Sequence, residues 1–368
     1  MATASSSLPS LVEKFCSEGS SKDETDAAFA AISSELSTGG LTLLKLVEAS
    51  GEFLTNTDDG IRNRATMLLA EALHEIPGNL LAADQLPPLL AFLSDRMKDE
   101  PCIKEVLRAS FFLLDRYGDT VHETAAASLP LAKLVVAMLQ GVHVQSLPLA
   151  NRHNVYSIMQ TVLDGERYKE VLSGLDINMV DAFGHCMDGE RDPRNLLLCF
   201  TIIPLLTQQF LKTKEEAENL FPIFSCYFPI TFTPPPNDTF GITAEMLREG
   251  LLNCMTCSLL MAPRAFDLAL GKLAAGDLPL ARLDSLDVMA TLATKFGMKE
   301  GVGTSGARQA WSAIRLQIVD SGEAEVQQRA RSCLRVLLRQ AAEEDDAVMM
   351  LVEQEGDGAA GGDAMKVE

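Results

Sequence analysis

The sequence predicts an all-α protein: a HEAT/armadillo-type right-handed α-solenoid of stacked helix pairs. Three observations predict it. The first is composition. Of 368 residues, 47% are hydrophobic and only 6% aromatic, with a single Trp (Trp311) and four Tyr; this mixture suits helices built from small regular units better than β-sandwiches. The second is a recurring stripe. Ile61-Arg62-x-x-Ala65-x-x-x-Leu69-x-x-Ala72, Ile103-Lys104-x-x-Leu107-x-x-x-Phe111-x-x-Leu114 and Val326-Gln327-x-x-Ala330-x-x-x-Leu334-x-x-Leu337 share one spacing. Apolar residues so spaced form one face of a helix. The third is what precedes each stripe: Asp58-Asp59, Asp99-Glu100 and Glu323-Ala324-Glu325. Acids there cap a helix N-terminus and suit its dipole. From Ile61 to Ile103 is 42 residues, and a period of roughly 40 to 47 residues with two helices per unit marks HEAT and armadillo arrays. One such unit cannot bury its stripe alone, so neighbours stack. The competing arrangement is an irregular helical bundle.

Taken in order, residues 1–40 are rich in Ser, Ala, Gly and acid, and are expected to form a ragged N-terminus with one helix near 26–36. Residues 41–340 read as helix after helix and form the expected repeat solenoid. Weaker copies of the stripe sit at Val155/Met159/Val162, Leu197/Leu198/Ile202 and Leu247/Leu251/Met255. Residues 341–368 hold nine Asp or Glu against one Lys, with four Gly at 356, 358, 361 and 362. Such a tail cannot bury a core and is expected to be mostly disordered.

With 31 Lys and Arg against 51 Asp and Glu, the net charge is −20. That surplus repels phosphate, so direct nucleic-acid binding is disfavoured and protein partners are expected. The first thirteen residues lack Lys, Arg and any sustained apolar core, so no secretory signal is read. The longest apolar run, 196–206, is too short to span a bilayer. Eight scattered cysteines suit reduced thiols. The expected setting is cytoplasmic and nuclear, with no membrane association.

Candidate chemistry is sparse. Cys254-Met255-Thr256-Cys257 is a CxxC, but a metal site needs two further ligands and no second pair accompanies it. It lies in the mostly apolar run 246–261, which reads as mid-helix, so small buried hydrophobes are the preferred reading. Gly301-x-Gly303-x-x-Gly306 and Gly356-x-Gly358-x-x-Gly361 follow no strand, so the dinucleotide reading fails. The five histidines are dispersed, and no catalytic set can be nominated. No enzyme activity, cofactor or metal is expected.

Two stretches stand apart. Asp188-Gly189-Glu190-Arg191-Asp192-Pro193-Arg194-Asn195 is dense in charge. It reads either as an exposed partner-binding loop or as a helix start, with Asp192 as N-cap, Pro193 at the first helical position and Arg191 or Arg194 bridging to the neighbouring repeat. The second reading is preferred for Asp192-Pro193. From Tyr227 to Asp238, four prolines (Pro229, Pro234, Pro235, Pro236) fall within eight residues, which forces extended or turn-like backbone. This piece is either a docking surface or a long connection packed along the array. The candidate partner contacts are His143, Gln145, Glu190, Arg191, Arg194, Asn195, Tyr227, Phe228, Pro234, Pro235, Asn237 and Asp238.

These stretches, together with Val142-His143-Val144-Gln145-Ser146-Leu147-Pro148, Ala262-Pro263-Arg264-Ala265-Phe266, Ala281-Arg282-Leu283-Asp284-Ser285-Leu286 and Trp311-x-x-Ile314-Arg315, resemble the Mms-nineteen family over roughly 41–338. The resemblance implies a non-catalytic HEAT-repeat adaptor of the cytosolic iron–sulfur assembly machinery. In that family the adaptor joins a WD40 propeller and a small acidic-loop subunit in the targeting complex. It helps deliver clusters to apoproteins of DNA replication, repair and transcription, such as helicases, polymerases, primase and nucleases. Family members are several times longer, and their C-terminal repeats are the part expected to dock the other subunits. The alternative is a HEAT-repeat scaffold of another pathway, of transport or phosphatase type.

Overall fold

The computed structural model describes residues 7–77, 80–236, 240–276 and 278–343. Among them the chain forms seventeen α-helices and five short 3-10 helices, and no strand. It divides into two compact units, residues 1–198 and 199–368.

The first unit holds α1 (Leu8–Cys16), α2 (Lys22–Ser37), α3 (Leu43–Leu54), α4 (Asp59–Glu75), α5 (Leu86–Arg96), α6 (Ile103–Glu123), α7 (Ser128–Gly141), α8 (Leu149–Leu163), α9 (Lys169–Ser173) and α10 (Met179–Met187). Helix α3 packs on α4, α4 on α6, α6 on α8 and α5 on α7. The largest of these contacts join helices two places apart, α4 with α6, α5 with α7 and α6 with α8, as stacked helical pairs do. The predicted stripes are the packed faces. Ala65, Leu69 and Ala72 of α4, Leu107 and Leu114 of α6, and Val155, Met159 and Val162 of α8 are all buried.

Helix α11 (Pro193–Phe210) carries the chain from one unit into the next. The second unit continues with α12 (Lys214–Ser225), α13 (Ala244–Met255), α14 (Ala262–Ala275), α15 (Pro279–Gly301), α16 (Thr304–Asp320) and α17 (Ala324–Glu343). Here α12 packs on α13, α13 on α15, α14 on α16 and α15 on α17. Val326, Ala330 and Leu337 of the third stripe are buried on α17. Helix α14 stops at Gly276, whose φ of +68° is the left-handed C-cap conformation glycine adopts without strain. Helices α11 and α13 approach closely because position 250 is glycine. A Cβ there would lie 3.1 Å from the Cβ of Phe200. Gly250→Val is expected to cost about 1–3 kcal/mol by overpacking, read as a shift in urea midpoint at unchanged slope.

Two expectations need correction. The N-terminus carries two helices, not one. Ser21 caps α2 in a capping box with Glu24, and α1 buries Val12, Phe15 and Cys16. The run 246–261 is not one helix: α13 ends at Met255, Thr256 caps it, and α14 begins only at Ala262 with Pro263 in its first turn. Residues 344–368, with most of the acidic tail, lie outside the described residues. No described helix is long and apolar enough to cross a membrane.

Candidate functional site

The charged stretch at 188–195 folds inward around one carboxylate. Glu190 is fully buried. Its Oε2 accepts hydrogen bonds from Arg152 Nε at 2.8 Å, Tyr156 Oη at 3.1 Å and Asn195 Nδ2 at 3.2 Å. Its Oε1 accepts from Arg152 Nη2 at 3.0 Å and from the backbone N–H groups of Arg191 and Asp192 at 2.9 and 3.0 Å. Burial alone would raise this carboxyl. The hydrogen bonds from Arg152, Asp192 and Arg191, with the arginine's charge, outweigh burial and hold it down at about 2. Around it, Gln145 donates to Tyr156 Oη at 3.0 Å and to the Cys186 carbonyl at 2.7 Å, and Arg152 Nη1 donates to the Leu147 carbonyl at 2.9 Å. Tyr156→Phe removes only the hydroxyl from this node, and is expected to cost about 1 kcal/mol in denaturant unfolding.

The candidates here therefore separate. Glu190 and Asn195 are buried and Gln145 is half-buried; Glu190 and Asn195 bond each other and α8, and Gln145 bonds Tyr156 and the Cys186 carbonyl. As placed, the buried Glu190 and Asn195 brace the start of α11 from within. Arg194 folds back on Asp192, with Nε to Oδ1 at 3.1 Å. Asp192 caps α11 by accepting from the backbone N–H groups of Arg194 and Asn195. A bridge to the neighbouring repeat is made by Arg152, which reaches Glu190 from α8. Arg191 and His143 are exposed, and His143 lines a groove of about 780 Å³ with Lys98, Lys104 and Leu147.

The Arg152–Glu190 bridge is one rung of a repeated pattern. Arg62 in α4 pairs with Asp99, 2.9 Å, ahead of α6. In the second unit, Arg282 in α15 pairs with Glu323, 3.2 Å, ahead of α17. Each arginine stands in the first turn of its helix, and each acid 37, 38 or 41 residues on, in the loop ahead of a later stripe-bearing helix. Between α6 and α8 the rung is neutral: Asn151 Nδ2 donates to the Lys104 carbonyl at 3.0 Å. Sequence reasoning read Asp99 and Glu323 only as helix-start acids and did not pair them with Arg62 and Arg282, or Glu190 with Arg152, although an Arg with an acid one repeat period later is a signal it could have used.

In the second unit, Tyr227 is half-buried and sets its ring edge against Phe200, centroids 6.1 Å apart. Phe228 and Ile230 are buried, and the Phe228–Pro229 peptide is cis. Beyond them Pro234, Pro235 and Pro236 are exposed. Asn237 and Asp238 lie outside the described residues. The strip is thus anchored at its start and presented to solvent further on, combining the two readings given to it.

Cys254 is fully buried, and its thiol donates to the Phe200 carbonyl at 3.2 Å. Cys257 donates to the Cys254 carbonyl at 3.1 Å. Burial pushes Cys254 well above the usual thiol range and raises Cys257 as well, so both are thiols at neutral pH and not reactive thiolates. Among the described residues no three His, Cys, Asp or Glu side chains converge as a metal site.

Residues 47–320 match the family described as "Dos2-interacting transcription regulator of RNA-Pol-II". Similar curated proteins carry the name "MMS19 nucleotide excision repair protein homolog". The Xenopus laevis protein is 31% identical over 338 residues, 92% of this chain and 31% of its own length. The Mus musculus protein is 32% identical over 314 residues, covering 83% and 28% respectively. The Arabidopsis thaliana protein is 30% identical over 308 residues, covering 83% and 26%. The chain spans about a third of the length of these relatives.

Proposed function

The chain belongs to the MMS19 (Mms-nineteen) family, and from that premise we propose that it is a non-catalytic protein-binding adaptor serving nucleotide excision repair and transcription. Its specific task on this reading is to help deliver iron–sulfur clusters, as cargo, to apoproteins such as DNA helicases, polymerases and nucleases. Its partners are those client apoproteins and the WD40 propeller and small acidic-loop subunits of the targeting complex. It works in cytoplasm and nucleus, without direct contact to nucleic acid or membrane.

The observation that carries the reading is the family match over 47–320, which coincides with the stacked helical pairs. Such arrays supply extended surfaces for protein partners. The acidic charge supports an indirect role in DNA metabolism, because an excess of carboxylates disfavours phosphate contacts. The repair assignment comes from the relatives' names, and the iron–sulfur assignment from the family resemblance.

Affinity purification of the tagged full chain with mass spectrometry tests it. Recovery of the propeller subunit or of cluster-bearing helicases is the expected result. Recovery of neither, from well-folded protein, sinks the reading for this chain. Recovery of transport or phosphatase subunits instead would favour the scaffold alternative.

A further inference from the structure

The second unit contains a groove of about 390 Å³ between α13, α15 and α17, closed at one end by the start of the proline strip. That volume lies in the range of ligand clefts. Phe228, Ile230, Leu252 and Leu283 give it an apolar lining. Its charges are unevenly matched. Arg248 is engaged by Glu245, and Arg329 by Asp287. Glu249, Asp284 and Glu325 also line the groove, and among the described residues these three make no ion pair or side-chain hydrogen bond. The groove therefore has three carboxylates in excess of its arginines.

Asp284 is the informative member. It is half-buried against the apolar wall. Burial, reinforced by the charge of Asp287 and opposed by Arg248 and Arg329, lifts its carboxyl to about 6. A half-buried carboxylate without a partner is unfavourable, and a cation seated beside it relieves that cost. Phosphate-bearing and other anionic ligands are repelled, and a purely apolar ligand would leave Asp284 unpaired. The carboxylates do not converge as a metal-ion set. What remains is a cationic side chain with an apolar neighbour.

We propose that this groove docks a basic, partly apolar segment of a partner protein, seating a lysine or arginine on Asp284 and an adjacent apolar side chain against Leu252 and Leu283. This rests on the reading of the chain as a protein-binding adaptor, and names the chemistry of one contact. The two arginines, already engaged by Glu245 and Asp287, frame the site, and the excess carboxylates discourage further anions from entering.

The test uses the full chain and a fluorescein-labelled peptide of alternating Leu and Lys, with its Leu/Glu counterpart as control. Fluorescence anisotropy is read for the natural chain, for Asp284→Asn, and for Asp23→Asn, an exposed acid in the first unit. The Leu/Lys peptide is expected to bind and the Leu/Glu peptide not to. Asp284→Asn weakens binding about tenfold, as loss of one partner of a desolvated charge pair does, while Asp23→Asn leaves it unchanged. Methyl NMR of the natural chain provides a readout that does not depend on a variant folding: the methyls of Leu252, Leu283 and Val288 shift on addition of peptide. Equal effects of the two variants, or methyl shifts scattered elsewhere, would reveal only general attraction to an acidic protein and overturn the proposal. No binding of the Leu/Lys peptide overturns it too. Since only purified components are used, such a failure alongside recovery of partners by the tagged chain removes the groove and leaves the adaptor role standing.

Discussion

Glu190→Ala is expected to destabilise the first unit by about 3–5 kcal/mol, the cost of stranding one member of a buried ion pair. For a unit of this size that corresponds to a fall in Tm of about 10 °C. The reason is the number of groups left behind. Arg152 loses both its carboxylate hydrogen bonds, Tyr156 and Asn195 each lose one, and the backbone N–H groups of Arg191 and Asp192 lose theirs. The pH dependence has a definite sign. The folded carboxyl sits at about 2, below its ordinary value of 4.5. Its contribution is therefore complete above about pH 4.5 and is lost as pH falls through the folded value. That contribution is on the order of 3 kcal/mol. Denaturant unfolding of the natural chain and of Glu190→Gln between pH 6 and pH 3 checks it: the natural chain loses its advantage as the medium acidifies. A variant as stable as the natural chain at pH 7 would mean that the node does not brace the fold.

Phe200→Ala is expected to cost about 3–5 kcal/mol in the second unit, as truncation of a buried phenylalanine does. Phe200 is 1% exposed, stacks edge-on to Tyr227, meets Gly250 at close range, and its carbonyl receives the Cys254 thiol. The truncation therefore loosens α13 and the anchored start of the proline strip together. Hydrogen exchange should rise first in residues 244–255 and around Tyr227. Exchange confined to the exposed prolines' neighbours would show that Tyr227 is held by something other than this ring.

Much of the fold was legible because helical stripes declare themselves locally. Leu69, Leu107 and Ala330 are buried where their spacing puts them, and Asp58 caps α4 by accepting from the Ile61 N–H at 2.9 Å. Asp192-Pro193 likewise reads as a helix start and is one. Short or continuous signals were harder. Helix α1 spans nine residues, too few for a period to stand out amid Ser and Gly. The break after Met255 is hidden by apolar composition on both sides of it. The rungs were invisible for another reason: Arg152 and Glu190 pair across 38 residues, a relation that only the repeat period reveals. Glu190 itself was read as a candidate partner contact, since a glutamate is rarely buried unless paired. Its burial depends on donors from three separate elements, and no local pattern encodes that convergence. For the proline strip, composition fixed the extended backbone, but not that Phe228 and Ile230 turn inward while Pro234 and Pro235 face solvent.

The most direct measurement follows radioactive iron into a cluster-bearing DNA helicase in cells depleted of this protein and then resupplied with it. The account predicts that incorporation falls on depletion and returns with the natural chain, while incorporation into a haem enzyme stays level. Undiminished labelling of the helicase after complete depletion would contradict it.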